Sequence, residues 1–390
     1  MARITFQKLE DHSPYFWGLL AMHAVVIALG LGAFFYVEHY GHIVTGMNNA
    51  VVWGTPHVFA VFLIVAASGA LNVASISSVF NNLAYKPFSR LSGILAISLL
   101  VGGLMVLVLD LGRPERLTVA MTTYNFKSIF AWNIYLYTGF LFIVTAYLFT
   151  MRDRSMSKSG KPTKFMGWFA FAWRLALTTG TGSIFGFLVA RDAYNSAIMA
   201  PLFIAASFLY GLAITVLVLL TTSREMRQQL MSDEMVSKFR NLIIIFALAV
   251  LYFTAVKHLT ALYASERHGV EAFILRDGGI YTLLFWFGHV LIGNVLPFSG
   301  RLGLAIASVL IILGGLSFMY VTIIGGQAYP LDLMPGMKVE SSFLDGVVAS
   351  YTPSLPEVLL GLAGVSVAML VTGVALKVMP FLPRSFEAEG

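Results

Sequence analysis

Four polar residues stand near the ends of long apolar segments, where such side chains are costly. His57 opens one segment, Asp110 closes the next, and Lys257 and His258 come late in another. An imidazole changes charge near neutral pH, and a neighbouring carboxylate can accept or hold its proton. Ionisable residues in apolar segments are functional candidates by default. His57 and Asp110 therefore indicate acid–base chemistry, and both are candidate catalytic residues.

Acid–base pairs of this kind suit quinone chemistry. A quinone site requires an apolar slot for the ring and tail, hydrogen-bond donors for two carbonyls, and a titratable group that passes protons. His57 and Asp110 could supply the polar functions if their segments adjoin. Five further residues near the same segment ends complete the predicted quinone-binding set: Arg113, Tyr124, Trp132, Lys257 and His258.

Each of these residues also has a structural interpretation, which the sequence leaves open. His57 would then be a packed histidine at the membrane interface, and Asp110 a helix-end residue paired with a following arginine. Lys257 would extend its ammonium group to the interface. The tyrosine and tryptophan would belong to the aromatic belt of a membrane protein.

Three more polar residues lie in the middle of apolar segments: Asn72, Arg174 and His289. They form a possible proton path, although a buried arginine can equally pair with backbone carbonyls or a neighbour. His57 and His258 occur at one depth, so spacing alone leaves open a pair of ligands to a b-type haem. Because no two histidines share a segment at a diagnostic spacing, we predict no metal site in this chain.

The composition excludes several classes of protein. Of the 390 residues, 58% are hydrophobic and 11% charged, whereas soluble domains carry about 25% charged residues. The chain contains no cysteine, which excludes thiolate-bound iron–sulfur clusters, c-type haem attachment and disulfides. The net charge of +6 comes from Lys and Arg clustered between apolar segments, which is typical of a membrane protein rather than a nucleic-acid-binding one.

The apolar segments predict the architecture. A membrane span needs roughly 20 apolar residues, and ten runs reach about that length. We therefore predict an all-α integral membrane protein, with residues 1–390 forming a single polytopic domain. The ten predicted transmembrane helices are 15–37, 51–79, 91–110, 128–151, 165–190, 196–222, 239–263, 279–299, 302–326 and 357–383. The segment 327–356 is predicted to be a re-entrant or capping excursion.

The distribution of positive charge predicts the orientation. Sixteen Lys and Arg lie at the termini and in the even-numbered loops, against seven in the other loops. The positive-inside rule then places both termini of this multi-pass protein in the cytoplasm. His57, Asp110, Lys257 and His258 consequently fall in the half of the membrane away from the cytoplasm.

Several motifs together resemble the NrfD/polysulfide-reductase membrane-subunit family. They are Asp110-Leu-Gly-Arg113-Pro114, Tyr124-Asn125-Phe126-Lys127-Ser128 running into Ala131-Trp132-Asn133, and Gly182-Ser183-Ile-Phe-Gly-Phe followed by Ala200-Pro201-Leu202-Phe203. The last third resembles the DsrP-type subgroup of a Dsr sulfur-metabolism complex. Its motifs are Gly325-Gly326-Gln327-Ala328-Tyr329-Pro330, Tyr351-Thr352-Pro353-Ser354-Leu355-Pro356-Glu357 and Lys377-Val-Met-Pro380-Phe-Leu-Pro383.

This resemblance implies a subunit of the bacterial inner membrane that binds ubiquinone or menaquinone and holds no haem or iron–sulfur cluster itself. It implies two four-helix bundles, helices 2–5 and 6–9, with helices 1 and 10 at the periphery. A ferredoxin-like iron–sulfur subunit would dock on the non-cytoplasmic face, over loops 38–50, 111–127, 264–278 and 327–356. Further redox subunits would complete the complex, so this chain would not be catalytic alone.

Two other functions remain open from the sequence. A secondary transporter would show discontinuous helices and charges at mid-membrane, whereas the ionisable residues here favour one membrane face. A b-type cytochrome membrane anchor would show a Soret band after purification.

Overall fold

The computed structural model describes residues 5–10, 13–153, 156, 160–331, 334, 337, 339, 341–343 and 345–384. Its ten long helices are α1 (Pro14–Tyr40), α2 (Thr55–Ser78), α3 (Ser89–Leu109), α4 (Ile129–Arg152), α5 (Lys161–Gly186), α6 (Met199–Met226), α7 (Asp233–Tyr263), α8 (Ile280–Phe298), α9 (Leu304–Ala328) and α10 (Leu355–Val378). Two short strands, β1 (Phe6–Gln7) and β2 (Leu382–Pro383), pair antiparallel. The other regular elements among the described residues are helices, which confirms the predicted all-α class.

Nine of the ten helices in the described part of the chain are long and apolar enough to cross a membrane. The exception is α5, which is 26 residues long but carries Arg174 and the polar run 178–183. The protein is therefore a multi-pass membrane protein.

The helices pack as two rings of four. In the first bundle α2 packs on α3, α3 on α4, α4 on α5, and α5 on α2; in the second, α6, α7, α8 and α9 close a ring in the same order. α1 packs on α10, and α10 packs on α3 and α2. α1 and α10 therefore flank the two rings.

The two bundles meet where α2 contacts α6. A Cβ added at Gly69 would overlap the backbone of Ser207, and one added at Gly211 would overlap the backbone of Gly69 and Ala70. Small residues allow this approach, which is how helices pack closely in lipid. The main chains of α2 and α6 are thus in direct contact.

Several helices begin or end at capping residues outside the apolar runs. α7 starts at Asp233 because the Ser232 side chain accepts a hydrogen bond from the backbone of Met235. α10 starts with a capping box formed by Ser354 and Glu357. Hydropathy alone places these boundaries a few residues away, since polar first turns are helical too.

The two ends of the helix assembly differ in what they contain. We call the end where α2 starts and α3 finishes the outer end, and the opposite end, with β1 and β2, the inner end. The backbone nitrogen of Arg384 donates to Thr5 O at 3.1 Å, so both described chain ends lie at the inner end. Four of the Lys and Arg residues from which the orientation is predicted lie outside the described residues: Arg3, Arg154, Lys158 and Lys338.

Part of the segment 327–356 also lies outside the described residues. Its described parts return to the outer end of the first bundle. Ala349 N donates to Ala328 O at 2.9 Å, and Asn48 Nδ2 donates to Ser350 O at the same distance. These described parts therefore lie against the loop before α2.

Candidate functional site

His57 and Asp110 meet at the outer end of the first bundle. His57 lies in the first turn of α2, after Pro56, and Asp110 directly follows the last residue of α3. Because α2 and α3 are neighbours, His57 Nδ1 lies 2.8 Å from Asp110 Oδ2, with 19% and 5% of the side chains exposed. The structure thus brings together the two residues that the sequence singled out.

These two atoms form an ion pair by distance, but their orientation is not that of a hydrogen bond. Both are buried, and neither makes an aligned hydrogen bond with any described residue. The other ring nitrogen, His57 Nε2, makes no hydrogen bond to a described residue, so it is the atom of the pair through which a third group could exchange a proton.

An aromatic wall stands beside the His57 ring. Trp53 lies nearly parallel to it, with ring centroids 6.0 Å apart and planes at 22°. Phe130 and Phe185 pack against Trp53, with centroids 5.9 Å and 6.1 Å away. Because Trp53 is half-buried and Phe130 exposed, the wall offers a flat apolar surface next to a polar pair.

Gln327 fixes the backbone that carries Trp53. Its Oε1 accepts hydrogen bonds from the backbone nitrogens of Val52 and Trp53, each at 3.0 Å, and its Nε2 donates to Trp53 O at 2.9 Å. Arg191 Nη1 in turn donates to Gln327 O at 2.8 Å. Sequence reasoning missed this role of Gln327, since an amide at the end of an apolar run does not reveal which distant backbone it meets.

Tyr351 and Thr55 anchor the start of α2. The Tyr351 hydroxyl accepts a hydrogen bond from Thr55 N at 2.7 Å and lies 2.9 Å from Thr55 Oγ1. Burial raises the pKa of Tyr351 well above its usual value, and a hydrogen bond to Glu357 adds to this. The hydroxyl therefore stays protonated, and it contacts a residue that lies two positions before His57.

Among the described residues, no hydrogen bond, ion pair or ring contact joins three of the predicted binding residues to the pair. Arg113 is exposed, and no ion pair among the described residues joins it to Asp110. Tyr124 packs its ring on Phe126, with centroids 4.5 Å apart, and Trp132 Nε1 donates to Phe126 O at 2.8 Å. Tyr124 and Trp132 thus belong to an aromatic cluster formed by the loop before α4 and the first turn of α4.

Lys257 and His258 belong to a separate cluster in the second bundle. His258 Nδ1 lies 2.6 Å from Glu271 Oε2, and all three side chains are buried. Glu271 comes from the short helix His268–Ala272 that follows α7. The sequence missed this carboxylate because it lies in a connecting loop rather than an apolar run.

The three mid-membrane residues divide between the bundles. Arg174 Nη2 donates to Asn72 Oδ1 at 2.8 Å in the first bundle, while two other guanidinium nitrogens have no hydrogen-bond partner among the described residues. His289 Nε2 lies 3.1 Å from Thr254 Oγ1 in the second bundle. His289 lies in a π-helical segment of α8, a feature frequent at functional sites.

Packed rings occupy the space between the two bundles. Successive ring centroids are 6.1 Å apart from Trp53 to Phe185, 5.6 Å from Phe185 to Phe203, 5.9 Å from Phe203 to Phe318, and 4.7 Å from Phe318 to His289. The His57–Asp110 pair and the His289 region are therefore joined by aromatic contacts.

His57 and His258 each contact one carboxylate rather than a larger set of possible metal ligands. His57 lies beside Asp110, and His258 beside Glu271. Protein-bound zinc, for comparison, has three or four protein ligands. In the described ranges no three or more His, Asp or Glu side chains come together as a set that could hold a metal ion.

Comparison with known proteins identifies the family. The family described as "Polysulphide reductase, NrfD" matches residues 43–330. The chain is 29% identical to the Hdr-like menaquinol oxidoreductase integral membrane subunit of Archaeoglobus fulgidus, over 98% of this chain and 97% of that protein. It is 27% identical to a putative membrane subunit of dimethyl sulfoxide reductase from Halobacterium salinarum, over 93% and 91%.

A third relative is a selenate reductase subunit of Mesobacillus selenatarsenatis, 21% identical over 89% of this chain and 90% of that protein. All three matches extend over nearly the full chain. The family match itself runs from the loop before α2 to the end of α9 and so includes both four-helix bundles. The resemblance seen in the sequence motifs is confirmed: this chain belongs to the polysulphide reductase NrfD family.

Proposed function

We propose that this chain is the quinone-binding membrane subunit of a multi-subunit oxidoreductase complex. In this proposal it exchanges electrons between the quinone pool and an iron–sulfur partner subunit. The observation that carries the proposal is the half-buried His57–Asp110 ion pair, which lies beside the Trp53 ring. The name of the Archaeoglobus relative refers to menaquinol, which favours menaquinone as the first quinone to test.

The residues at this position fit a quinone headgroup. The Trp53 and Phe130 rings offer an apolar face, and His57 and Asp110 offer a donor and an acceptor. A quinol would supply two electrons and two protons on oxidation. The electrons would pass to the clusters of the partner subunit. His57 would accept the two protons one after the other and release each to solvent, and Asp110 would stabilise the imidazolium formed each time, as a carboxylate does beside histidine.

The direct test is quinol-dependent reduction of the partner's clusters in the purified complex. His57→Gln and Asp110→Asn should each lower turnover by about 10²-fold or more, which is the loss expected for a general acid–base group. Assembly should survive in both variants. The matched control is His39→Gln, since His39 is exposed on α1. Wild-type turnover in either test variant would remove that residue from the site.

A binding measurement separates the site from the chemistry. Quenching of tryptophan fluorescence by a short-chain menaquinone analogue should be weakened by Trp53→Leu, because Trp53 stands against the proposed ring position. It should persist in Asp110→Asn if Asp110 acts on protons rather than on affinity. Unchanged quenching in Trp53→Leu would place the quinone elsewhere.

The partner subunit is proposed to dock at the outer end, over the loops 111–127 and 264–278. The short helix Leu117–Thr122 buries none of its residues in this chain, and Val119 and Met121 are exposed. Arg113 and Arg116 flank it and would suit an acidic partner surface. Val119→Glu should release the iron–sulfur subunit during purification, whereas a complex that stays intact would contradict this docking site.

The cellular setting proposed is dissimilatory sulfur metabolism at the bacterial cytoplasmic membrane, with both termini in the cytoplasm. The outer end would then face away from the cytoplasm. Support comes from the sequence motifs of the last third of the chain and from the positive charge at the inner end. Co-purification with sulfur-metabolising redox subunits would support this setting, and co-purification only with subunits of an unrelated reductase would contradict it.

A further inference from the structure

A basic cavity opens at the inner end of the first bundle, opposite the His57–Asp110 pair. It lies between the end of α2, the start of α3, the end of α4 and the start of α5, and its volume is about 230 Å³. The described residues that line it include the cations Lys86, Arg90 and Lys164 and no carboxylate.

The positive charge of this cavity is not neutralised by the described residues. Lys86 and Lys164 are exposed, and no ion pair or hydrogen bond to a described residue involves their ammonium groups. Arg90 is held in place by carbonyl groups: Nη2 donates to Met151 O at 2.8 Å and Nη1 to Pro380 O at 3.3 Å. One rigid and two free cations therefore share a single cavity.

Hydroxyl groups also line the cavity. Ser77 Oγ lies 2.8 Å from Ser89 Oγ, and the Tyr147 hydroxyl donates to Ser78 Oγ at 2.7 Å. The helices α3 and α5 also begin here, and the first turn of a helix carries a partial positive charge. Cations, hydroxyls and positive helix ends together favour a ligand with several acceptor oxygens, such as a phosphate ester.

Exposed rings lie next to cavity residues along the chain. Phe80 precedes the lining residue Asn81, Phe165 follows Lys164, and Trp168 comes one turn later. Phe80, Phe165 and Trp168 are 61%, 69% and 50% exposed. In a membrane protein such rings meet acyl chains or the interface. A soluble anion would make no use of them, whereas a phospholipid would contact both the cations and the rings.

We propose that this cavity binds the phosphate group of an anionic phospholipid. The headgroup would lie among Lys86, Arg90 and Lys164, and the acyl chains would lie along Phe80 and Phe165. Basic pockets between transmembrane helices are suited to anionic headgroups. This site is independent of the proposed quinone site, because it lies at the other end of the bundle.

The test uses the full chain purified in detergent and titrated with short-chain phosphatidylglycerol, with binding followed by native mass spectrometry. Lys86→Gln together with Lys164→Gln should weaken binding about thirtyfold, since each cation near an anionic headgroup contributes appreciably. Lys161→Gln is the matched control, because Lys161 is exposed in the same helical turn but does not line the cavity. Short-chain phosphatidylcholine should bind at least tenfold more weakly.

Three outcomes would overturn the proposal. Binding of phosphatidylglycerol by the double variant at wild-type affinity would show that the cavity is not the site. Equal binding of phosphatidylcholine would show that anionic charge plays no part. If inorganic phosphate raised the unfolding temperature as much as phosphatidylglycerol did, the ligand would be a soluble anion. If the double variant fails to fold, Lys86→Gln alone, expected to lower affinity about fivefold, serves the same comparison.

Discussion

Tyr351 and Glu357 are joined by a hydrogen bond of 2.6 Å from the tyrosine hydroxyl to Oε1 of the carboxylate. The other carboxylate oxygen accepts from the backbone nitrogens of Gly46 and Ser354, each at 2.8 Å. Tyr351 also binds Thr55, and Glu357 lies in the first turn of α10. The peripheral helix α10 is therefore connected to the first turn of α2. The orientation of His57 therefore depends on residues that are distant from it in sequence.

Removing the Tyr351 hydroxyl should loosen the start of α2. Tyr351→Phe is expected to lower quinol turnover about fivefold, which corresponds to the net value of one hydrogen bond of about 1 kcal/mol. Tyr351 acts by positioning the start of α2, and Glu357 acts through Tyr351. The double variant Tyr351→Phe with Glu357→Gln should therefore lose less turnover than the losses of the two single variants combined. Tyr36→Phe, at an exposed position on α1, is the control. Strictly additive losses would contradict the connection.

Both termini are expected in the cytoplasm, because sixteen cations favour that side against seven. Reporter fusions after residue 390 and within loop 264–278 should then report opposite sides of the membrane. A fusion at the C-terminus that reports the non-cytoplasmic side would reverse the orientation. The proposed quinone site would then face the cytoplasm.

The purified chain is expected to contain neither haem nor iron. It has no cysteine, and His57 and His258 each lie beside a carboxylate in different bundles. They therefore do not face each other as the two axial ligands of one haem would. Absorption spectroscopy and elemental analysis provide the measurement, and a Soret band or stoichiometric iron would refute the expectation.

The chain is expected not to be a strong proton pump. Arg174 pairs with Asn72 in one bundle and His289 with Thr254 in the other, and proton relays usually employ a series of Asp, Glu or His. The complex can be reconstituted in liposomes with a pH dye inside. Proton movement that stops in Arg174→Ala or His289→Ala, with electron transfer intact, would show that these residues conduct protons.

The sequence could predict the helical class and the His57–Asp110 contact for a simple reason. Both residues stand out as polar groups at the ends of consecutive apolar runs, and consecutive membrane helices place such ends together. Gln327 and Glu271 could not be found in this way, because an amide and a loop carboxylate leave no periodic signal. Their partners come from residues that are far away in the chain, and only the packing of the bundles brings them close.

The backbone contact between α2 and α6 has a mechanical consequence. Where Gly69 and Gly211 allow two main chains to touch, no side chains remain between them that could change rotamer and let the helices slide. Alternating access would require one bundle to rock against the other, and this junction resists that motion. We expect the two bundles to stay fixed relative to each other during the catalytic cycle. Quinol would then enter from the lipid while the helices keep their positions.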